Sequence, residues 1–158
     1  MATKLSALEF LRYQLDGNLP FNATTSMQYP TAISRFFGFK ITEIDVGYAK
    51  LELDADVEIH GNQQGTIHGG VLCELADAAI GTAHSTAIEE DETFTSIDLR
   101  INFFRPVWKS LLTATARRVQ SGKTLSFYHC EISREDGKTI ALAMSTVMTL
   151  RGEAATGR

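Results

Sequence analysis

Two periods of apolar residues organise the chain. Between Gly65 and Ser85 they recur at helical spacing: Leu72, Leu75, Ala76, Ala79, Ile80 and Ala83 form one stripe. This spacing predicts a helix over about 68–87. On either side the period drops to two. Upstream, Phe39, Ile41, Ile44 and Val46, then a turn at Gly47, then Ala49, Leu51, Leu53 and Ala55 predict a hairpin with one buried face. Downstream, Ile97, Leu99, Ile101 and Phe103 alternate with Ser96, Asp98, Arg100 and Asn102, which predicts a strand over 96–104 ended by Arg105-Pro106. Residues 110–119 and 124–133 pair across Gln120-Ser121-Gly122-Lys123, and 139–150 return after Asp136-Gly137, a hairpin signal. In that last strand Ile140, Leu142, Met144, Met148 and Leu150 face one way. The smaller Ala141, Ala143, Ser145 and Val147 face the other, as a central strand covered on both sides would.

The segment before the hairpin is helical and weakly patterned. Leu5, Leu8, Phe10, Leu11 and Leu15 cluster on one side of a helix over 4–15, ended by Asp16-Gly17-Asn18 and Pro20. A polar loop over 22–29 follows, and Pro30 opens a short helix stopped by Gly38. Residues 60–65 form a polar loop, the acidic stretch 89–92 is expected to be solvated, and the tail 151–158 to fray. The chain divides into an N-terminal helical segment, 1–38, a single domain, 39–150, and the tail. One helix too apolar for a surface must be wrapped by the strands around it. The expected class is α+β, a curved antiparallel sheet around a central helix.

Composition narrows the function. With 158 residues, 44% of them hydrophobic and 22% charged, the chain reads as one soluble globular domain with a real core. A net charge of −4 without a basic block argues against a nucleic-acid partner. Cys73 and Cys130 as free thiols fit a reducing compartment. The N-terminus carries Glu9, Arg12 and Asp16 and reads as neither signal peptide nor membrane span, so the expected location is cytoplasmic, without membrane association. His60, His68, His84 and His129 lack metal-ligand spacing, and neither cysteine joins a zinc pattern. No G-x-S-x-G elbow or dinucleotide fingerprint is present.

The candidate chemistry lies on the apolar helix. Asp77 falls off the stripe, on a second face with Cys73, Gly81 and His84, and burying a carboxylate is costly unless it is paired. At the helix start, Gly69-Gly70 allows close backbone approach, and the first amides of a helix have no partners inside it. Each feature has a plainer alternative: Asp77 as a structural acid met by a serine or an amide, the glycines as a tight loop-to-helix turn, and His84 as a partly exposed helix-end residue.

The lead-in FFGFKITEIDVGYAKLEL, the core GNQQGTIHGGVLCELADAAIGTA, the strand SIDLRINFFRPV and the closing SGKTLSFYHCEISREDGKTIALAMSTVMTL together resemble the hotdog-fold acyl-CoA thioesterases of the phenylacetate-pathway (PaaI) type, over about residues 36–150. The resemblance implies a hotdog domain over 39–150 and hydrolysis of an acyl-CoA to free acid and CoA without a cofactor or metal. By residue, it implies that Asp77 is the catalytic carboxylate, as general base or as nucleophile, and that the Gly69 N–H polarises the thioester carbonyl. Asn62 would help hold the water or the carbonyl, Ser96 would assist the carboxylate, and His68 is the histidine before the glycines. It also implies a homo-oligomer, a dimer or a tetramer built as a dimer of dimers. Glu74 receives no role by this resemblance.

Gly69 and Asp77 are eight positions apart, about 12 Å along a helix axis. One carbonyl cannot be in reach of both, so Gly69 of one subunit is expected to work with Asp77 of its partner. For substrate binding, Gly70 joins Gly69, and among the basic residues Arg105 and Lys123 are the candidates for the CoA phosphates, ahead of Arg100, Lys109, Arg117 and Arg118. The acyl pocket is expected near the helix and the N-terminal segment, with Phe36, Phe37 and Ile80 as candidate linings that serve equally well as core. Gly81 either leaves room for an acyl chain or permits close helix–sheet packing. Three other functions compete: a hotdog hydroxyacyl dehydratase, a non-catalytic acyl-CoA-binding module, and a plain oligomerisation domain.

Overall fold

The computed structural model describes residues 2–156. In chain order it places a short strand β1 (Thr3–Lys4), helix α1 (Ala7–Leu15), strand β2 (Ala23–Thr24) and helix α2 (Ala32–Phe37) before the main sheet. Ser6 and Glu9 close a reciprocal capping box on α1, and Gly38 ends α2 in the left-handed conformation at φ 77°. The small parallel pairing of β1 with β2 was not legible in the polar loop sequence. Met1, Gly157 and Arg158 lie outside the described residues.

Strands β3 (Lys40–Asp45) and β4 (Tyr48–Asp56) form the expected hairpin, with Ala49, Leu51, Leu53 and Ala55 all buried. A bulge between Ile41 and Glu43 shifts the register, and Val46 sits exposed on the turn rather than inside. After a single helical turn, α3 (Val57–His60), comes the central helix α4 (Gly69–Ser85). All six stripe residues of α4 are buried against the sheet. Each large side chain so withdrawn from water contributes on the order of 1.5–3 kcal/mol.

The second half supplies β5 (Thr93–Ser96), β6 (Arg100–Phe103), β7 (Lys109–Ser121), β8 (Leu125–Arg134) and β9 (Thr139–Leu150). The seven-stranded antiparallel sheet has the order β3-β4-β7-β8-β9-β5, with β6 also pairing β9. It curls around α4 and leaves a gap between its edges.

The single strand expected over 96–104 is broken in two at residues 97–99. There Asp98 reaches back to β9: its carboxylate accepts from the Thr146 N–H at 2.8 Å and its carbonyl from Ser145 Oγ at 2.7 Å. The Ile97 N–H still donates to the Thr146 carbonyl at 2.8 Å, and beyond it bonds that use side chains interrupt the ladder, so the alternation continues in the sequence while the strand pairing does not. A bulge between Ile132 and Ser133 turns Ile140 inward, away from Leu142 and Met144. Met144 is exposed, so β9 is covered on its helix side only within one chain.

The described part of the tail is tied down. The tail folds into a short 3-10 turn, Gly152–Ala155, and Arg151 pairs with Glu92 and donates to the Lys123 carbonyl at 2.6 Å. The acidic loop is therefore partly engaged rather than merely solvated, since Glu90 also meets Lys4 at 3.4 Å.

Candidate active site

The C-terminal end of α4 is anchored first. Thr86 Oγ1 donates to the Asp45 carbonyl at 2.7 Å and accepts from the Gly47 N–H at 3.0 Å, so the helix is pinned to the β3–β4 turn. Ser85 Oγ bonds Tyr29 OH, which ties the N-terminal segment to the same end. His84 is buried, not partly exposed as expected, with Nδ1 3.1 Å from Tyr128 OH and Nε2 3.0 Å from Thr149 Oγ1. Burial pushes its pKa down to about 4, and the nearby Arg118 adds to the effect. Both ring nitrogens of His84 are thus taken by Tyr128 and Thr149, and His84 does not pair with Asp77 although the two lie on one side of the helix.

With the helix fixed, Asp77 lies half-buried on the side of α4 away from the core. Ser96 Oγ, at the end of β5, donates to Asp77 Oδ1 at 3.0 Å. Ser96 stands where β5 stops because Asp98, two residues on, holds the break to Thr146. Glu74, one turn before Asp77, has its carboxyl raised by burial and further by the Asp77 charge. The two carboxylates and Cys73 border an open groove that continues along α4 to Gly70 and is closed on its other side by residues 96–99. Burial also raises the Cys73 thiol.

The N-terminal end of α4 presents backbone amides. His68 is the N-cap, and its Nδ1 accepts from the Gly70 N–H at 2.9 Å. The Val71 N–H donates to the His68 carbonyl at 3.0 Å. Among the described residues the Gly69 N–H has no such partner. A Cβ at Gly69 would lie 3.0 Å from the tip of the Phe103 ring, so a side chain here requires that exposed ring to shift. Asn62 is folded onto its own loop: Oδ1 accepts from the Gln64 and Thr66 N–H groups at 2.9 and 3.1 Å, and Nδ2 donates to Thr66 Oγ1 at 3.0 Å. Of the expected residues, then, Asp77 is met by Ser96 alone, and His68 meets Gly70. Gly69, Gly70, His68 and Asn62 gather at the far end of the helix, about 12 Å along the axis.

The basic candidates are also apart. Arg105 Nη1 donates to the Thr139 carbonyl at 2.5 Å, at the start of β9. Lys123 lies in the turn beside the end of the same strand, where the Thr149 N–H donates to the Thr124 carbonyl. At ~3.3 Å per residue, roughly 30 Å or more separates them within one chain.

A second hollow, of about 700 Å³, opens where the sheet edges part. Its floor is α4, from Glu74 through Asp77, Ala78 and Gly81 to Thr82, and Phe94 and Ile41 stand at its sides. Leu11 and Leu15 of α1 and residues 27–34 roof it. The expected linings do not reach it. Phe36 is exposed, Phe37 stacks on Phe39 and faces His60, and Ile80 is packed fully under the helix. Leu11 and Leu15 belong to the apolar side of the first helix, whereas no periodicity signals the roof contributed from residues 27–34, which tertiary packing brings over α4. Glu74 and Asp98 were likewise present in the motifs without an assigned role. Among the described residues no three His, Cys, Asp or Glu side chains gather to hold a metal, and no helix is long and apolar enough to cross a membrane.

The comparisons with known proteins converge. The model of the thioesterase superfamily matches residues 64–141, which span α4, β5 to β8 and the start of β9. A medium/long-chain acyl-CoA thioesterase, YigI, of Salmonella typhimurium is 30% identical over 135 residues, covering 76% of this chain and 86% of that protein. A 1,4-dihydroxy-2-naphthoyl-CoA hydrolase of Listeria monocytogenes is 27% identical over 110 residues, covering 70% of this chain and 89% of that one. The solved structure of the Escherichia coli PaaI protein from the phenylacetic acid degradation operon superposes with a TM-score of 0.74 at 25% identity, over 93% of this chain and 95% of the other. With the wrapped helix, the glycine-headed amide end and the Asp77–Ser96 pair, these place the chain in the thioesterase superfamily, as a hotdog-fold thioester hydrolase of the PaaI type.

Proposed function

We propose that the protein hydrolyses an acyl-CoA to the free acid and CoA, with Asp77 activating the attacking water and the Gly69 N–H of a second protomer receiving the carbonyl oxygen. The observation that carries this reading is the Ser96–Asp77 bond at 3.0 Å. It holds one carboxylate oxygen and turns the group toward the groove. Water attacks the thioester carbon, Asp77 accepts its proton, and the oxyanion meets the unpartnered amide at the positive end of α4. Collapse of the tetrahedral adduct breaks the C–S bond, and the CoA thiolate leaves and is protonated.

The separation of Gly69 from Asp77 along one helix supports a site shared by two copies of the chain. Asn62 and His68 act as positioning residues, since their side chains bind the loop and the amide beside Gly69. Gly70 frames the groove, and Arg105 and Lys123 serve one CoA molecule only if they come from different protomers. Acyl-CoA as the substrate draws support from the relatives that act on medium/long-chain acyl-CoA and on a naphthoyl-CoA.

The test is free-thiol release from a panel running from butanoyl- to palmitoyl-CoA, with phenylacetyl- and benzoyl-CoA included. Removal of a general base typically lowers the rate ~10²–10⁴-fold, and that loss is expected for Asp77→Asn with the fold intact. Undiminished turnover in Asp77→Asn would contradict the mechanism. Tight binding without turnover in the unaltered protein would favour a non-catalytic acyl-CoA module.

A further inference from the structure

Gly81 has no packing reason to be glycine. An interior helix glycine destabilises relative to alanine. Its φ is not positive, so no conformational demand requires it. A Cβ built at Gly81 would meet only the Phe94 ring, at 3.5 Å, which is ordinary contact. The close helix–sheet approach that would explain a glycine is therefore absent. What Gly81 does border is the 700 Å³ hollow, one turn beyond Asp77 on the same floor.

We propose that Gly81 sets the length of acyl chain the protein accepts, by keeping the floor of this hollow open for an unbranched aliphatic chain that starts at Asp77 and runs along α4 beneath Leu11 and Leu15. The inference rests on the hydrolase reading above. From Asp77 to Gly81 the helix advances about 6 Å. An extended carbon chain advances roughly 1.3 Å per bond, so it passes Gly81 near its fifth carbon. The lining is mostly apolar, as chain-binding pockets are, and an acetyl or butanoyl group would leave most of it against water. The roof comes from the N-terminal segment, which Tyr29 ties to Ser85 and Arg12 ties to Asp45 at 3.0 Å. The protein thus supplies its own cover over the part of the chain that Gly81 admits.

The experiment compares Gly81→Ala and Gly81→Leu with the unaltered protein on butanoyl-, hexanoyl-, decanoyl- and palmitoyl-CoA, and records melting temperatures alongside. The ratio of kcat/KM for decanoyl- to butanoyl-CoA is expected to fall at least tenfold in Gly81→Leu and by less in Gly81→Ala. The alanine variant is expected to melt at or above the unaltered protein, because the helix gains propensity and nothing clashes. An unchanged ratio, or equal losses on short and long chains with a lower melting temperature in Gly81→Ala, would overturn the inference. If the unaltered protein releases thiol from no acyl-CoA, the hydrolase reading falls by itself. Calorimetric binding of non-hydrolysable butanoyl and decanoyl thioether analogues then judges Gly81 by the same ratio, with preserved discrimination in Gly81→Leu overturning it.

Discussion

Ser96 Oγ donates to Asp77 Oδ1 at 3.0 Å, joining the end of β5 to the middle of α4. Among the described residues the other carboxylate oxygen, Oδ2, has no hydrogen-bond partner. A carboxylate held at one oxygen keeps the second aimed without being consumed by the protein. Ser96→Ala is expected to lower kcat about tenfold with KM little changed, because the bond orients the group that reacts and does not touch the thioester. Ser96→Thr keeps the hydroxyl and should restore most of the rate. Steady-state kinetics on the best acyl-CoA substrate would check both, and a KM effect alone would contradict the assignment.

Asp98 provides the next prediction. Its carboxylate accepts from the Thr146 N–H and so holds the interruption between β5 and β6 that leaves Ser96 facing Asp77. Asp98→Ala should lower kcat severalfold and destabilise the fold by about 1 kcal/mol, the usual worth of such a bond. A double variant with Ser96→Ala should lose little more activity than Ser96→Ala alone, since both changes act through the same contact.

His84 makes stability depend on pH. The unfolded chain protonates it near pH 6.5, whereas the folded chain does so only at about 4. Between those values the unfolded state binds more protons, so stability falls as pH drops through the window and levels off below it. At ~1.36 kcal/mol per pKa unit, the loss amounts to about 3 kcal/mol. Urea unfolding from pH 7.5 to 4 should show this decline, and His84→Gln should flatten it whatever its effect at pH 7.5.

Leu75 is wholly buried under the sheet. Leu75→Ala is expected to cost about 2–5 kcal/mol, the range for emptying a packed leucine site. Chemical denaturation at neutral pH measures it. A cost under 1 kcal/mol would mean that the stripe is not the core.

The central helix and the strands of the sheet were legible because each buries one face, and a buried face writes its period into the sequence. Leu72 to Ala83 and Ala49 to Ala55 are such cases, and every one of those stripe positions is buried. The break at residues 97–99 was not legible. Its alternation is intact, and what ends the pairing is a long-range bond from Asp98 to Thr146. His84 misled for a similar reason: a histidine near a helix end reads as solvated until Tyr128 and Thr149, distant in sequence, close over it. Asp77 stood out as an acid beside an apolar stripe, and Ser96 followed from the motif. The hollow over Gly81 was legible only in outline, as a pocket near the helix and the N-terminal segment; Phe36, Phe37 and Ile80 were the wrong linings, since its roof and floor come from segments with unrelated periods.

The central claim is that Asp77 of one protomer works with the Gly69 amide of another. Gly69→Pro removes that N–H at the first position of α4, where proline is tolerated, and His68 already holds the extended ψ of 132° that precedes a proline. The nearby Phe103 ring must swing aside, which an exposed side chain can do. Asp77→Asn and Gly69→Pro chains, each inactive alone, should be unfolded together, mixed, refolded and assayed for thiol release from acyl-CoA. In a two-fold assembly half of the random pairs are mixed, and each mixed pair carries one intact site, so activity should return to about one quarter of the unaltered protein. No recovery from a mixture shown to contain mixed pairs would contradict a site shared between protomers.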